Sequence, residues 1–352
     1  MKTTHLFIFS FFLLLSFRGI AQQKAAGSTD TIIYKSKNGT FLSCSGVIRI
    51  LVVLAEVNYD IGADSSTWAT WKQGTFPSWG KNFVDVKGHR SGLFTRYFYE
   101  ASSGNYQLLG DYLSPPTNNG VFIVNNSDIK SKGYRQALVN AINAQMTNGF
   151  KTQSGIKNLK KFDQWTPTRN GLPKIKSSNN SFDHVMVIWR NFTIANGTGN
   201  SHPGENLAGK ILDHTTDSWS QFGAQDGMPL DIARHEFSHL IIGGNNFHVG
   251  GGREQNMWIG KNCAHSMLGL YGTVLGCWSG WDRQRLGWKG HKNKFLISAR
   301  NEANKKEVSG DLDANNPDQA GIYTLRDFVS TGDAIRIKLP FLPAGAPRWQ
   351  DV

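Results

Sequence analysis

Two stretches of this chain are apolar almost without a break. They are Val47-Ile48-Arg49-Ile50-Leu51-Val52-Val53-Leu54-Ala55-Glu56-Val57 and Asp183-His184-Val185-Met186-Val187-Ile188-Trp189-Arg190. Neither alternates as a strand with one wet face does, so both are predicted as strands buried on two sides, in a sheet covered by helices. The period changes over 134–146, where Ala137, Leu138, Ala141, Ile142 and Met146 fall on one side of a predicted helix. A second helix is expected after Met228-Pro229-Leu230-Asp231. Leu230, Ile232, Ala233, Phe237, Leu240 and Ile241 supply its buried side, and Gly243-Gly244 ends it. Asn-, Gly- and Ser-rich segments at 148–181 and 191–210 read as long loops that line a cleft or decorate the surface. Strands and helices together predict an α+β domain with a mixed sheet.

The texture shifts at both ends. Residues 1–21 have Lys2, an apolar core from Leu6 to Phe17 and small residues at Gly19-Ile20-Ala21, the pattern of a secretory signal peptide. That run is too short to span a bilayer, and no later one is longer, so the mature chain is expected to be exported, extracellular or periplasmic. Residues 22–45 are polar and predict a flexible leader or short pro-segment. After the central domain, 46–291, the stretch from Lys292 to Asp318 is polar. Alternation then returns in Ile322-Tyr323-Thr324-Leu325-Arg326 and Ala334-Ile335-Arg336-Ile337-Lys338-Leu339, which predicts that 292–352 begins a β-rich appendage. The chain stops soon after, as a truncated longer protein would.

Chemistry concentrates on the second predicted helix. His235-Glu236-Phe237-Ser238-His239 puts two imidazoles four residues apart, hence on one helical face, where both can bind a single zinc ion. Glu236 projects beside them, placed to take a proton from a water on that ion. With ten His and seven Glu in the chain, chance would produce this pattern in only about one such sequence in two hundred. Catalytic zinc usually has three protein ligands. His248 is the first choice for the third, because flanking glycines let the backbone turn its ring back to the helix; Glu254 and His265 are the alternatives.

The pattern is similar to the metzincin motif H-E-x-x-H-x-x-G-x-x-H, but that register would put its Gly at Ile242 and its last His at Asn245. Cys263-Ala264-His265-Ser266-Met267-Leu268-Gly269-Leu270-Tyr271 resembles the Met-turn beneath the metal in those enzymes. Met267 would pack its thioether under the imidazoles, and Tyr271 would hydrogen-bond the oxyanion formed at an attacked carbonyl. More broadly, the chain resembles the immune inhibitor A family of secreted bacterial zinc metalloproteases. Four stretches carry the likeness in order: 47–57, the aromatic segment Leu93-Phe94-Thr95-Arg96-Tyr97-Phe98-Tyr99-Glu100-Ala101-Ser102-Ser103-Gly104, the zinc helix, and Ser266-Met267-Leu268-Gly269 with Ser279-Gly280-Trp281-Asp282-Arg283-Gln284-Arg285-Leu286-Gly287-Trp288. Together they cover about 46 to 290. The resemblance implies a zincin-like protease domain with a mixed sheet, a central zinc-binding helix and a Met-turn. One departure bears on the metal. Members often have Asp six residues after the second His, where this chain has Asn245, a poor zinc ligand.

The remaining composition refines this picture. The formal charge is +12, and losing Lys2 and Arg18 with the signal would lower it to +10. The basic residues are scattered, with modest clusters at Lys157-Lys160-Lys161 and Arg283-Arg285-Lys289-Lys292-Lys294. No nucleic-acid motif accompanies them, so a solvated surface is expected. Of three Cys, Cys263 and Cys277 can close a disulfide around the Met-turn, leaving Cys44 over; three reduced thiols are the alternative. Asp213, Asp217, Asp226 and Asp231 would permit calcium without any loop spacing that demands it. N-x-S/T triplets start at Asn38, Asn191 and Asn196. The expected activity is that of a zinc endopeptidase on protein or peptide substrates, with no nucleic-acid partner. The alternatives are an inactive zinc-containing binding protein and a zinc hydrolase of non-peptide substrates. Eleven Trp and nine Tyr would suit the second.

Overall fold

A computed structural model of the chain describes residues 42–59, 71–89, 91–166, 177–192, 194, 199–224, 226–242 and 278–338. The expected signal peptide, residues 22–41 of the leader, Asn38, Asn196 and the tail from 339 lie outside them. In chain order the main body has β1 (Gly46–Asn58), α1 (Leu93–Ala101), β2 (Tyr106–Tyr112), β3 (Val121–Asn125), α2 (Asn126–Lys132) and α3 (Tyr134–Gln145). It continues with β4 (Ser181–Phe182), β5 (Val185–Trp189), β6 (Gly199–Pro203), β7 (Thr215–Thr216), β8 (Ser218–Gly223), α4 (Leu230–Ile242) and α5 (Gly280–Leu286). The molecule is mixed α/β.

The long apolar run makes β1 the spine of a six-stranded mixed sheet. β2 pairs with its first half and β3 with its second, while β5, β8 and β6 follow in order on the other side. Every pairing is parallel except the last, where β6 runs antiparallel to β8 along the sheet margin. Alternate residues of β1 serve two cores, which is why its sequence does not alternate. Ile48, Ile50, Val52 and Leu54 pack with Phe94 and Phe98 of α1 and with Phe237, Leu240 and Ile241 of α4. Leu51, Val53, Ala55 and Val57 pack with Ala137, Leu138 and Ile142 of α3. Each Val, Leu, Ile or Phe among them, fully withdrawn from water, contributes roughly 1.5–3 kcal/mol before entropy is counted.

The predicted strand at 183–190 is shorter in the structure. Asp183 and His184 precede β5, and Ser181–Phe182 forms a separate two-residue pairing with β7. The segment 191–210 is not a loop throughout, because β6 lies inside it. Asn191 is not a surface acceptor either. It is buried, its side-chain oxygen accepts from the Val57 N–H at 2.7 Å and its amide donates to the Val57 carbonyl at 2.9 Å, tying the end of β5 to β1.

In the C-terminal region, β9 (Ser298–Asn301) lies between β10 (Glu307–Ser309) and β12 (Tyr323–Thr324) in an antiparallel sheet, while β11 (Asp311–Asp313) pairs parallel with β13 (Arg336–Lys338). Three strands thus fall in the polar stretch from Lys292 to Asp318, where elements of three or four residues are too short to show a period. Arg283, counted above in a basic surface cluster, is buried. It donates to the Phe328 carbonyl and lies over the Phe328 ring, joining α5 to this region. Cys44 is also buried, with its thiol 3.7 Å from the Leu286 carbonyl oxygen. Among the described residues no helix is long and apolar enough to cross a membrane.

Candidate metal centre

Helix α4 starts one residue after Pro229, as its sequence predicts, and is described to Ile242; the glycine pair lies outside the described residues. Its apolar side is fixed by aromatic contacts. Phe237 meets Phe94 and Phe98 edge to face, with centroids 5.6 and 5.2 Å away, and His184 lies 5.4 Å beneath it. His235 and His239 lie two residues to either side of Phe237 and Glu236 one residue before it, and their polar groups converge. Ligand atoms of His235, Glu236 and His239 all lie within 4.8 Å of one another. The two imidazoles are nearly perpendicular, at 82°, with centroids 5.0 Å apart. His235 is 7% exposed and His239 4%, so both rings are largely withdrawn from water.

This donor set fits a divalent metal. Two borderline imidazole nitrogens with one hard carboxylate oxygen make a set that zinc and its neighbours in the first row accept. Donors sharing one tetrahedral zinc sit roughly 3–4 Å apart, so side-chain adjustments of about 1 Å would close the site. Among the described residues this is the only group of three or more His, Cys, Asp or Glu gathered so tightly. Two of the four aspartates considered for calcium are employed separately: Asp217 accepts from the Asn179 amide, and Asp231 pairs with Arg234.

Glu236 is half-buried, and burial raises its carboxyl to about 7, opposed by hydrogen bonds from the Ser201 hydroxyl and backbone N–H. A dication among these residues would pull that value down. Position alone admits Glu236 as a metal ligand or as a base beside the metal. Ser201 is on β6, which packs against α4 at the sheet margin. Sequence reasoning missed it, because a five-residue strand reading Gly-Asn-Ser-His-Pro has no apolar period to betray it.

The other residues named for the site lie outside the described ones: His248, Glu254, His265, Met267 and Tyr271, with Cys263 and Cys277. Two adjacent buried groups, Asp183 and His184, precede β5, and His184 lies against Phe237 of α4. His184 sits between the Ser218 and Ser220 hydroxyls at 2.9 and 2.8 Å, and burial drives its pKa down to about 3. Burial lifts Asp183 to about 8, although the Trp165 and Gln164 N–H groups donate to it. A cavity of about 800 Å³ opens elsewhere, lined by Phe76, Lys81, Pro115, Lys151 and Gln153 among others. It contains neither histidine of the centre, so the donor chemistry, not cavity size, marks the site. No family model matches the chain, and no curated protein does either.

Proposed function

We propose that this chain is a secreted zinc endopeptidase of zincin type, related in chemistry to the immune inhibitor A proteases its sequence resembles. One observation carries the proposal: the convergence of His235, Glu236 and His239 within 4.8 Å on a single helix. His235 and His239 would hold the ion, with His248 completing the set. Zinc bound there would lower the pKa of a coordinated water toward neutrality and polarise a carbonyl.

The chain's own residues supply the rest. The low exposure of both imidazoles keeps bulk water from competing for their nitrogens. Glu236 takes the proton of the attacking water and passes it to the departing amine. Tyr271 donates to the oxyanion. A base role suits Glu236 better than a ligand role, because the Ser201 donors already fix its carboxylate from the strand side. Strand β6 favours a peptide substrate: among the described residues it pairs only with β8. Its other edge, apart from the Ser201 N–H that Glu236 already engages, can add an extended chain through backbone hydrogen bonds.

The test is hydrolysis of casein and a mixed peptide pool, set beside ester and oligosaccharide substrates. Chelation should abolish peptide cleavage, and zinc should restore it. Cleavage of only the non-peptide substrates would reassign the site to another hydrolase, and cleavage that survives complete metal removal would contradict the proposal.

A further inference from the structure

Strand β6 and helix α4 meet in two successive steps. Gly199 and Ser201 are two apart on a strand and share a face, while Ile232 and Glu236 are four apart and share a side of the helix. The first step is a close approach. A Cβ on Gly199 would lie 2.6 Å from Phe222 Cδ1 and 2.7 Å from Ile232 Cγ1, so the helix comes this near only because residue 199 has no side chain. At the second step Ser201 meets Glu236, donating from both its hydroxyl and its backbone N–H. Ser201 is itself held in register opposite Ser220 of β8. A glutamate side chain turns about three bonds, and a half-buried one without partners would spread over several rotamers. Two donors on one paired strand restrict it to one.

We propose that Ser201 is a positioning residue that aims the Glu236 carboxylate at the metal centre, and that Gly199 sets the strand-to-helix distance at which it can do so. The inference rests on Glu236 being the proton-transfer group. Ser201 acts through Glu236, so its hydroxyl affects turnover without supplying a metal ligand.

The experiment uses the full chain with Ser201→Ala, Ser201→Thr and Glu236→Gln. In metal-free protein with ¹³C-labelled glutamate carboxyls, the infrared band missing from Glu236→Gln identifies Glu236. That band should move in Ser201→Ala and return in Ser201→Thr, which restores a hydroxyl. In zinc-loaded protein, kcat of Ser201→Ala should fall roughly tenfold, as expected for one lost hydrogen bond to a charged group, with KM and zinc content unchanged; threonine should recover most of it. If Ser201→Ala does not fold, Ser201→Cys, of similar size but a weak donor, replaces it in both measurements. An unmoved Glu236 band overturns the proposal whatever the activity. Equal losses of kcat and zinc in the alanine and threonine variants overturn it as well, in favour of a packing role. If zinc-loaded wild type cleaves nothing, the catalytic reading fails, and the band alone then decides whether Ser201 positions Glu236.

Discussion

His235 and His239 each expose less than a tenth of their surface, so a metal gains two ligands that have already been stripped of most of their water. Replacing one should therefore cost more than a surface histidine would. Titration of zinc into metal-free protein should show one tight site in the wild type and a loss of at least about a hundredfold in affinity in His239→Ala. Equal affinity would place the metal elsewhere. His184 offers a different residue-scale test. Its pKa is depressed from 6.5 to about 3 by burial, so its contribution to stability is complete above pH 6.5 and is lost as pH falls toward 3. At 1.36 kcal/mol per pH unit the full loss is roughly 3–5 kcal/mol. Urea midpoints of His184→Gln should depend less on pH between 7 and 4 than those of the wild type; parallel curves would contradict this. Asp183, raised to about 8, runs the other way: its contribution is present below about pH 4 and lost as pH rises through 8.

Among the elements, the junction of β6 with α4 decides what the centre can do. Gly199→Ala would drive a methyl group against Phe222 and Ile232. It should destabilise the protein by about 1–3 kcal/mol through overpacking, read as a lower urea midpoint, and should reduce turnover by displacing Ser201 from Glu236. An unchanged midpoint would mean that the helix does not depend on this approach. The sequence made the long elements legible. β1 and β5 stand out as nearly unbroken apolar runs, and α3 and α4 repeat the helical period often enough to be read. β6 was not legible, because its role comes from pairing with β8, and five polar residues carry no sign of that partner. β9 to β11 were hidden for the same reason, each being three or four residues long, whereas β12 and β13 fall inside the alternating stretches at 322–326 and 334–339.

At the scale of the whole molecule, a sheet buried on both faces leaves its margins as the places where chemistry can reach solvent. The polar triplet sits beside one margin, on a helix whose other side is locked into the aromatic core by Phe237. The spacing of His235, Glu236 and His239 announced the centre because four residues make about one helical turn, a local rule that needs no tertiary information. Ser201 reaches the same centre from about thirty-five residues away in sequence, a distance that only the completed sheet closes. The account as a whole stands on Glu236 performing proton transfer within that centre. The most direct measurement is peptide turnover by zinc-loaded Glu236→Gln, with bound zinc quantified in the same sample. The account predicts a full equivalent of zinc and kcat reduced by at least about a thousandfold. Turnover near the wild-type rate in that zinc-loaded variant would contradict it.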